Sequence, residues 1–127
     1  MIIDDDEDDR ELFQSIVGRN SPTIKCSEAA NGLLALEALK NNSPLPDLIF
    51  LDLNMPVMNG KQFLSEMKSS NELKDIPVVI LTTSSDPQTK KELMDLGVFE
   101  FLTKPDRIKQ WESSITEILE RIKLALP

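Results

Sequence analysis

The sequence contains no histidine, so any chemistry must come from its carboxylates, hydroxyls and lysines. That removes Ser/His and Cys/His hydrolytic triads, imidazole metal sites and a phosphohistidine carrier role. The remaining reactive groups gather at a few points. Asp4 to Asp9 is an unbroken acidic run, and Asp4-Asp5 follows directly on Ile2-Ile3. Asp52 closes the apolar run Leu48 to Leu51, and Thr82-Thr83 closes Val78 to Leu81. Lys104 follows Phe101-Leu102-Thr103. Carboxylates brought together repel by roughly 4 kcal/mol for two unit charges about 4 Å apart at an effective dielectric near 20. A fold tolerates this if a cation enters. Mg²⁺ prefers such oxygen ligands, keeps some waters and bridges phosphoryl oxygens. Lys104 adds a fixed positive charge, and Thr82 can donate to a phosphoryl oxygen. This set suits capture of a phosphoryl group on a carboxylate nucleophile.

Each residue alone has an ordinary explanation. Acids at a helix start complement its macrodipole, which accounts for Asp8 and Asp9, while Asp6 and Glu7 stay open between the two readings. Asp4-Asp5 alone would be a solvated cap, Asp52 a turn residue, Thr82 a strand-end cap and Lys104 a surface charge. Asn59-Gly60 alone is a turn signal. Their agreement in position, each at the end of an apolar run, carries the argument.

The elements that must position them alternate in type. Ile2-Ile3 begins a short strand. Residues 8 to about 19 read as a helix, with Leu12, Phe13, Ile16 and Val17 at helical spacing, broken by Asn20-Ser21-Pro22. Residues 23–29 read as an edge strand. A helix from 31 to about 42 carries Leu33, Leu36 and Leu39. Residues 47–52 and 77–82 are strands apolar on both faces, as in a parallel sheet covered on both sides. A helix running from the 56–60 loop to about 69 turns Phe63, Leu64 and Met67 inward. Another spans roughly 87–96 and is stopped by Gly97. Residues 99–102 form a last strand. A final helix, 105 to about 125, carries Ile108, Trp111, Ile115, Ile118, Leu119 and Ile122, with Trp111 read as a packing residue. Five strands alternating with five helices predict an α/β, doubly wound parallel sheet of flavodoxin-like order 2-1-3-4-5. Ligands of such sheets bind beyond the carboxyl ends of the strands, at the switch point. Asp4, Asp5, Asp52, Thr82 and Lys104 would then share one rim.

The totals agree. The chain has 127 residues, 40% of them hydrophobic, which predicts a single domain over 1–127 with a real core. Net charge is −8, yet without residues 4–9 there remain 16 acids against 14 bases. One concentrated acidic spot suits a hard cation and not nucleic acid. No apolar run is long enough to span a membrane, and the early acids rule out a secretory signal. The single cysteine, Cys26, fits a reducing, cytoplasmic setting and reads as a small packing residue.

These residues resemble the receiver domains of response regulators, the CheY-like family, along essentially the whole chain. Ile3-Asp4-Asp5-Asp6 is similar to the family's acidic pair after strand one. Leu51 to Gly60, read LDLNMPVMNG, is similar to its phosphoacceptor segment. Leu81-Thr82-Thr83 matches its hydroxyl position and Thr103-Lys104-Pro105 its lysine-proline signature. The stretches 81–85 and 44–56 also look like single-domain regulators that partner phytochrome-type kinases. The resemblance implies that Asp52 is the nucleophile and that Asp5 ligates Mg²⁺ directly, with Asp4 helping, often through water. Asn54 would contribute its backbone carbonyl, and Lys104 would pair with carboxylate or phosphoryl oxygens. Thr82 and Phe101 would form the switch, and the Lys104-Pro105 bond would be cis. Asn54 and Ser84 would tune the lifetime of the acyl phosphate.

The same resemblance implies a sensor histidine kinase or phosphotransfer protein as phosphodonor. A downstream protein target would read the fourth helix, fifth strand and fifth helix, a face that also offers a homodimer contact. The protein would be no enzyme beyond Mg²⁺-dependent self-phosphorylation and autodephosphorylation. Two departures stand out. Only three residues precede the acidic pair, fewer than the family's first strand usually has, and Phe101 lacks the hydroxyl of a tyrosine. The alternative is a degenerate receiver acting only as an interaction module. A phosphatase of the haloacid-dehalogenase kind would need D-x-D where this chain has Asp52-Leu53-Asn54. A flavodoxin-like FMN carrier would need a hydroxyl- and glycine-rich loop where it has Asp4 to Asp9.

Overall fold

The computed structural model describes residues 1–20, 23–41, 44–82, 86–104 and 108–125. Within them the elements run β1 (Ile2–Ile3), α1 (Glu7–Asn20), β2 (Glu28–Ala29), α2 (Gly32–Asn41), β3 (Ile49–Asp52), α3 (Gly60–Lys68), β4 (Val78–Thr82), α4 (Pro87–Asp95), β5 (Glu100–Thr103) and α5 (Ile108–Ala125). All strand pairs are parallel, in the order β2-β1-β3-β4-β5. The predicted fold class and strand order hold.

Strand alternation divides the core in two. Ile3, Ile49, Leu51, Val78 and Ile80 join one cluster with Ala35, Leu36 and Leu39 of α2, Phe63, Leu64 and Met67 of α3, and Leu93 of α4. Ile2, Phe50, Val79 and Leu81 join the other with Phe13, Ile16 and Val17 of α1 and Trp111, Ile115, Ile118 and Ile122 of α5. The inner strands β1, β3 and β4 therefore bury both faces, which is why their sequences read as unbroken apolar runs rather than alternating ones. Trp111 is a packing residue as expected, and half-buried Cys26 packs against the second cluster, where burial pushes its thiol pKa up.

Three expectations change. The edge strand shrinks from 23–29 to Glu28–Ala29, because among the described residues β1 is its only partner and offers just Ile2 and Ile3 for pairing. Leu33 does not face inward and is 41% exposed. The buried face of α2 is Gly32, Ala35, Leu36 and Leu39, a spacing of three, one and three residues that small side chains let approach closely. The last strand shifts to Glu100–Thr103, since Val79 to Thr82 pair with those four residues in register. The predicted start of the last helix at Pro105, its cis bond, and the Thr83 and Ser84 positions lie outside the described residues.

A cavity of about 740 Å³ opens beside Met1, Ile24, Pro46, Leu48 and Leu119. It sits at the amino ends of the strands, opposite the carboxyl rim.

Candidate phosphoacceptor and metal site

Local chain geometry assembles the rim. Asp4 leaves β1 at the switch point, where β1 pairs with both β2 and β3. Its side chain is fully buried. Asp4 Oδ1 accepts the Asp6 N–H at 3.0 Å, and the Arg10 guanidinium donates to the Asp4 carbonyl at 2.7 Å. Asp6 is the amino-terminal cap of α1, accepting from the N–H groups of Asp8 at 2.9 Å and Asp9 at 3.3 Å. Asp6 thus serves the start of the helix.

Asp52 ends β3, and the turn after it is held tightly. Gly60 N–H donates to Leu53 O at 3.0 Å, and a Cβ on Gly60 would collide with the Asp52 carbonyl oxygen and lie 2.8 Å from Leu53 Cα. Gly32 N–H donates to Met58 O at 3.1 Å, and a Cβ there would lie 2.8 Å from Met58 Cγ. Asn59 caps α3 in a reciprocal box with Gln62. Between these anchors Val57 takes φ 68°, and Met58 N–H bonds Pro56 O at 2.8 Å. That is a γ-turn, a strained conformation for a β-branched residue. Gly32, Gly60 and the Asn59 cap are thus the clamps that fix the turn after Asp52.

The predicted residues converge. One carboxylate oxygen each from Asp4, Asp5 and Asp52 lies within 4.8 Å of the others, with Asp4 and Asp52 buried and Asp5 exposed. Thr82 ends β4, is buried, and stands one residue beyond Leu81, the register partner of Asp52. Lys104 N–H donates to Thr82 O at 2.9 Å, which brings the Lys104 side chain over the cluster. Its Nζ is 2.9 Å from Asp4 Oδ2, 3.1 Å from Asp9 Oδ2 and 3.7 Å from Asp52 Oδ1. Phe101 pairs with Ile80, half-buried against the first cluster, with Lys90 Nζ 6.0 Å from its ring centroid. Asn54 N–H points at Asp52 Oδ1 at 3.4 Å.

Sequence reasoning missed two residues. Asp9, read as a macrodipole acid, reaches the Lys104 ammonium, and Arg10 braces the Asp4 backbone while lying 3.6 Å from Glu28. The only available signal was an acidic run longer than one helix cap requires.

Three carboxylates, those of Asp4, Asp9 and Asp52, thus surround one ammonium, with Asp5 beside Asp4 and Asp52. Burial pushes the Asp52 carboxyl up to about 7; Lys104 opposes this, Asp4 adds to it, the Asn54 N–H opposes it and Asp5 adds a little. Burial works against the Lys104 charge too, but hydrogen bonding and charge from Asp4, with Asp52 and Asp9, hold its pKa above the ordinary lysine value. An excess of clustered negative charge, all on oxygen donors, fits a hard divalent cation.

The family model for the response regulator receiver domain matches residues 1–116. The chain belongs to that family. It is 34% identical over 105 residues to the sensor histidine kinase CheAY of Helicobacter pylori, covering 83% of this chain and 13% of the kinase. It is 34% identical over 114 residues to the response regulator Rcp1 of Synechocystis, covering 86% of this chain and 78% of Rcp1. The Mn²⁺-bound structure of Rcp1 superposes with a TM-score of 0.79 at 35% identity, covering 92% and 88% of the two chains. The phosphorylated cyanobacterial phytochrome response regulator RcpA superposes with a TM-score of 0.91 at 30% identity, covering 99% and 94%. This receiver therefore resembles both stand-alone regulators and small parts of longer signalling proteins. Among its described residues no helix is long and apolar enough to cross a membrane.

Proposed function

We propose that residues 1–127 form one receiver domain that takes a phosphoryl group on Asp52 from a sensor histidine kinase or phosphotransfer protein. The observation that supports it best is the cluster of Asp4, Asp5 and Asp52 with Lys104 Nζ 3.7 Å from Asp52. Mg²⁺ would be held by those carboxylates with the Asn54 carbonyl, and when bound it would neutralise phosphoryl oxygens. The Mn²⁺-bound form of Rcp1 favours a divalent site, and RcpA is known in a phosphorylated form.

The chain's own residues do the rest. An Asp52 carboxylate oxygen attacks phosphorus in line; the P–N bond to the donor imidazole breaks as the O–P bond forms. Lys104 offers a positive charge to the phosphoryl oxygens, and buried Thr82 offers a hydroxyl. Catalysis is positioning and electrostatics. The acyl phosphate then favours the state with which Thr82 and Phe101 interact better. Readout passes to a protein target through α4, β5 and α5, the face that would also serve a homodimer. Water later cleaves the acyl phosphate, a self-reaction in a cytoplasmic signalling module rather than turnover of a separate substrate.

The test is incubation with Mg²⁺ and acetyl phosphate, followed by intact mass beside Asp52→Asn. One added phosphoryl group on the wild type, absent from the variant and blocked by EDTA, supports the reading. No adduct under rapid quenching, even with promiscuous kinases, removes it in favour of a pure interaction module.

A further inference from the structure

The three carboxylate neighbours of Lys104 are not equivalent. Asp4 and Asp52 belong to the three-carboxylate cluster that suits a divalent cation, and Asp9 does not. Asp9 sits in the first turn of α1, its side chain 30% exposed against 0% for Asp4, yet only 3.1 Å from Lys104 Nζ. Its own N–H lies 3.3 Å from Asp6 Oδ1, which fixes the turn from which it reaches.

We propose that Asp9 is a positioning residue that tethers Lys104 at the rim of the acidic cluster. The tether lets a divalent cation take Asp4 and Asp52 without the ammonium being driven off the site. The inference rests on the cation-dependent reading above.

A cation entering the cluster competes with the ammonium for the same oxygens and repels it. Asp4 is the nearer of the two contested partners, at 2.9 Å. With Asp9 present, Lys104 keeps a charge-assisted hydrogen bond outside the contested set. Without it, Lys104 leans inward on Asp4 and Asp52 and must be displaced for the cation to bind. Once a cation occupies the cluster, the same tether keeps the ammonium from leaving the rim beside Asp52, where a phosphoryl oxygen would meet it.

The test is calorimetric Mg²⁺ titration of wild type, Asp9→Asn, Lys104→Met and the double variant. Asp9→Asn should weaken Mg²⁺ binding about tenfold, within the coupling seen for groups in direct contact. In the Lys104→Met background the same change should cost no more than about twofold, and Asp9→Glu should recover most of the affinity. Equal weakening in both backgrounds would show a general charge effect and overturn the proposal. If Lys104→Met does not fold, the Lys104 ammonium resonance decides. It should persist on adding Mg²⁺ to the wild type and broaden into exchange in Asp9→Asn. An identical response in both proteins also overturns it. Coupling without phosphoryl uptake by the wild type would remove the phosphoacceptor reading and leave Asp9 its role. Phosphoryl uptake without coupling would do the reverse, and absence of Mg²⁺ binding would remove both.

Discussion

Gly60 packs its Cα directly against the backbone of Asp52, leaving no room for a side chain. The neighbours are main-chain atoms that cannot swing aside, so a methyl group must displace the Asp52–Leu53 turn itself. Gly60→Ala should therefore destabilise the fold by about 1–3 kcal/mol, the usual range for overpacking. Urea denaturation measures the loss. The variant should also take up phosphoryl groups more slowly than its folded fraction accounts for.

Burial of the Asp52 carboxyl makes stability depend on pH when no cation is present. Its folded pKa, about 7, lies above the ordinary 3.8. The folded state then holds this proton more tightly than the unfolded chain does. The stabilisation is complete below pH 3.8, is lost as pH rises toward 7 and stays lost above it. The shift caps the loss at roughly 4 kcal/mol, and solvent at the rim brings the expected value to about 1–3 kcal/mol. Asp52→Asn should remove this dependence and be more stable than wild type at pH 8 in EDTA. Thermal unfolding from pH 5 to 8 checks it; equal slopes for the two proteins would refute it.

Lys104→Met leaves Asp4 buried with only the Asp6 N–H as a polar partner for its carboxylate among the described hydrogen bonds. Breaking a buried pair from one side costs about 3–5 kcal/mol when nothing replaces the partner. Here the Asp6 bond and the nearby rim reduce the expected loss to about 2–3 kcal/mol. Millimolar Mg²⁺ should restore most of it. Denaturation midpoints with and without the cation give the answer, and a loss that Mg²⁺ leaves untouched would count against the metal site.

Val57 combines φ 68° with 76% exposure, so its side chain contributes strain and little burial. A left-handed conformation costs a β-branched residue about 1–3 kcal/mol, and glycine gives back roughly 0.5–1 kcal/mol through unfolded-state entropy. Val57→Gly should thus raise stability by about 0.5–1 kcal/mol. A lower denaturation midpoint would show that the γ-turn carries no strain here.

Much of this molecule is legible in its amino-acid sequence. The apolar runs 48–51 and 78–81 announced buried parallel strands because both their faces meet helices, and hydrophobicity is local information. The strand-end residues Asp4, Asp5, Asp52, Thr82 and Lys104 followed, since a parallel sheet puts the ends of its strands on one rim. Leu33 misled because helical spacing fixes which residues share a face but not how closely that face must approach its neighbour.

The sequence by itself determined the element order, the parallel α/β class and the identity of the oxygen-rich rim. Those depend on patterning, turn chemistry and the chirality of crossovers, all properties of short stretches of chain. Only the tertiary structure decided how the charges are shared. Lys104 is separated from Asp9 by 95 residues and from Asp4 by 100, and no local rule relates them. That Lys104 lies closer to Asp4 and Asp9 than to Asp52, and that Asp4 is buried while Asp5 is exposed, follows from how the start of α1 and the residue after β5 converge on the rim beyond β1. Packing is a property of the whole chain.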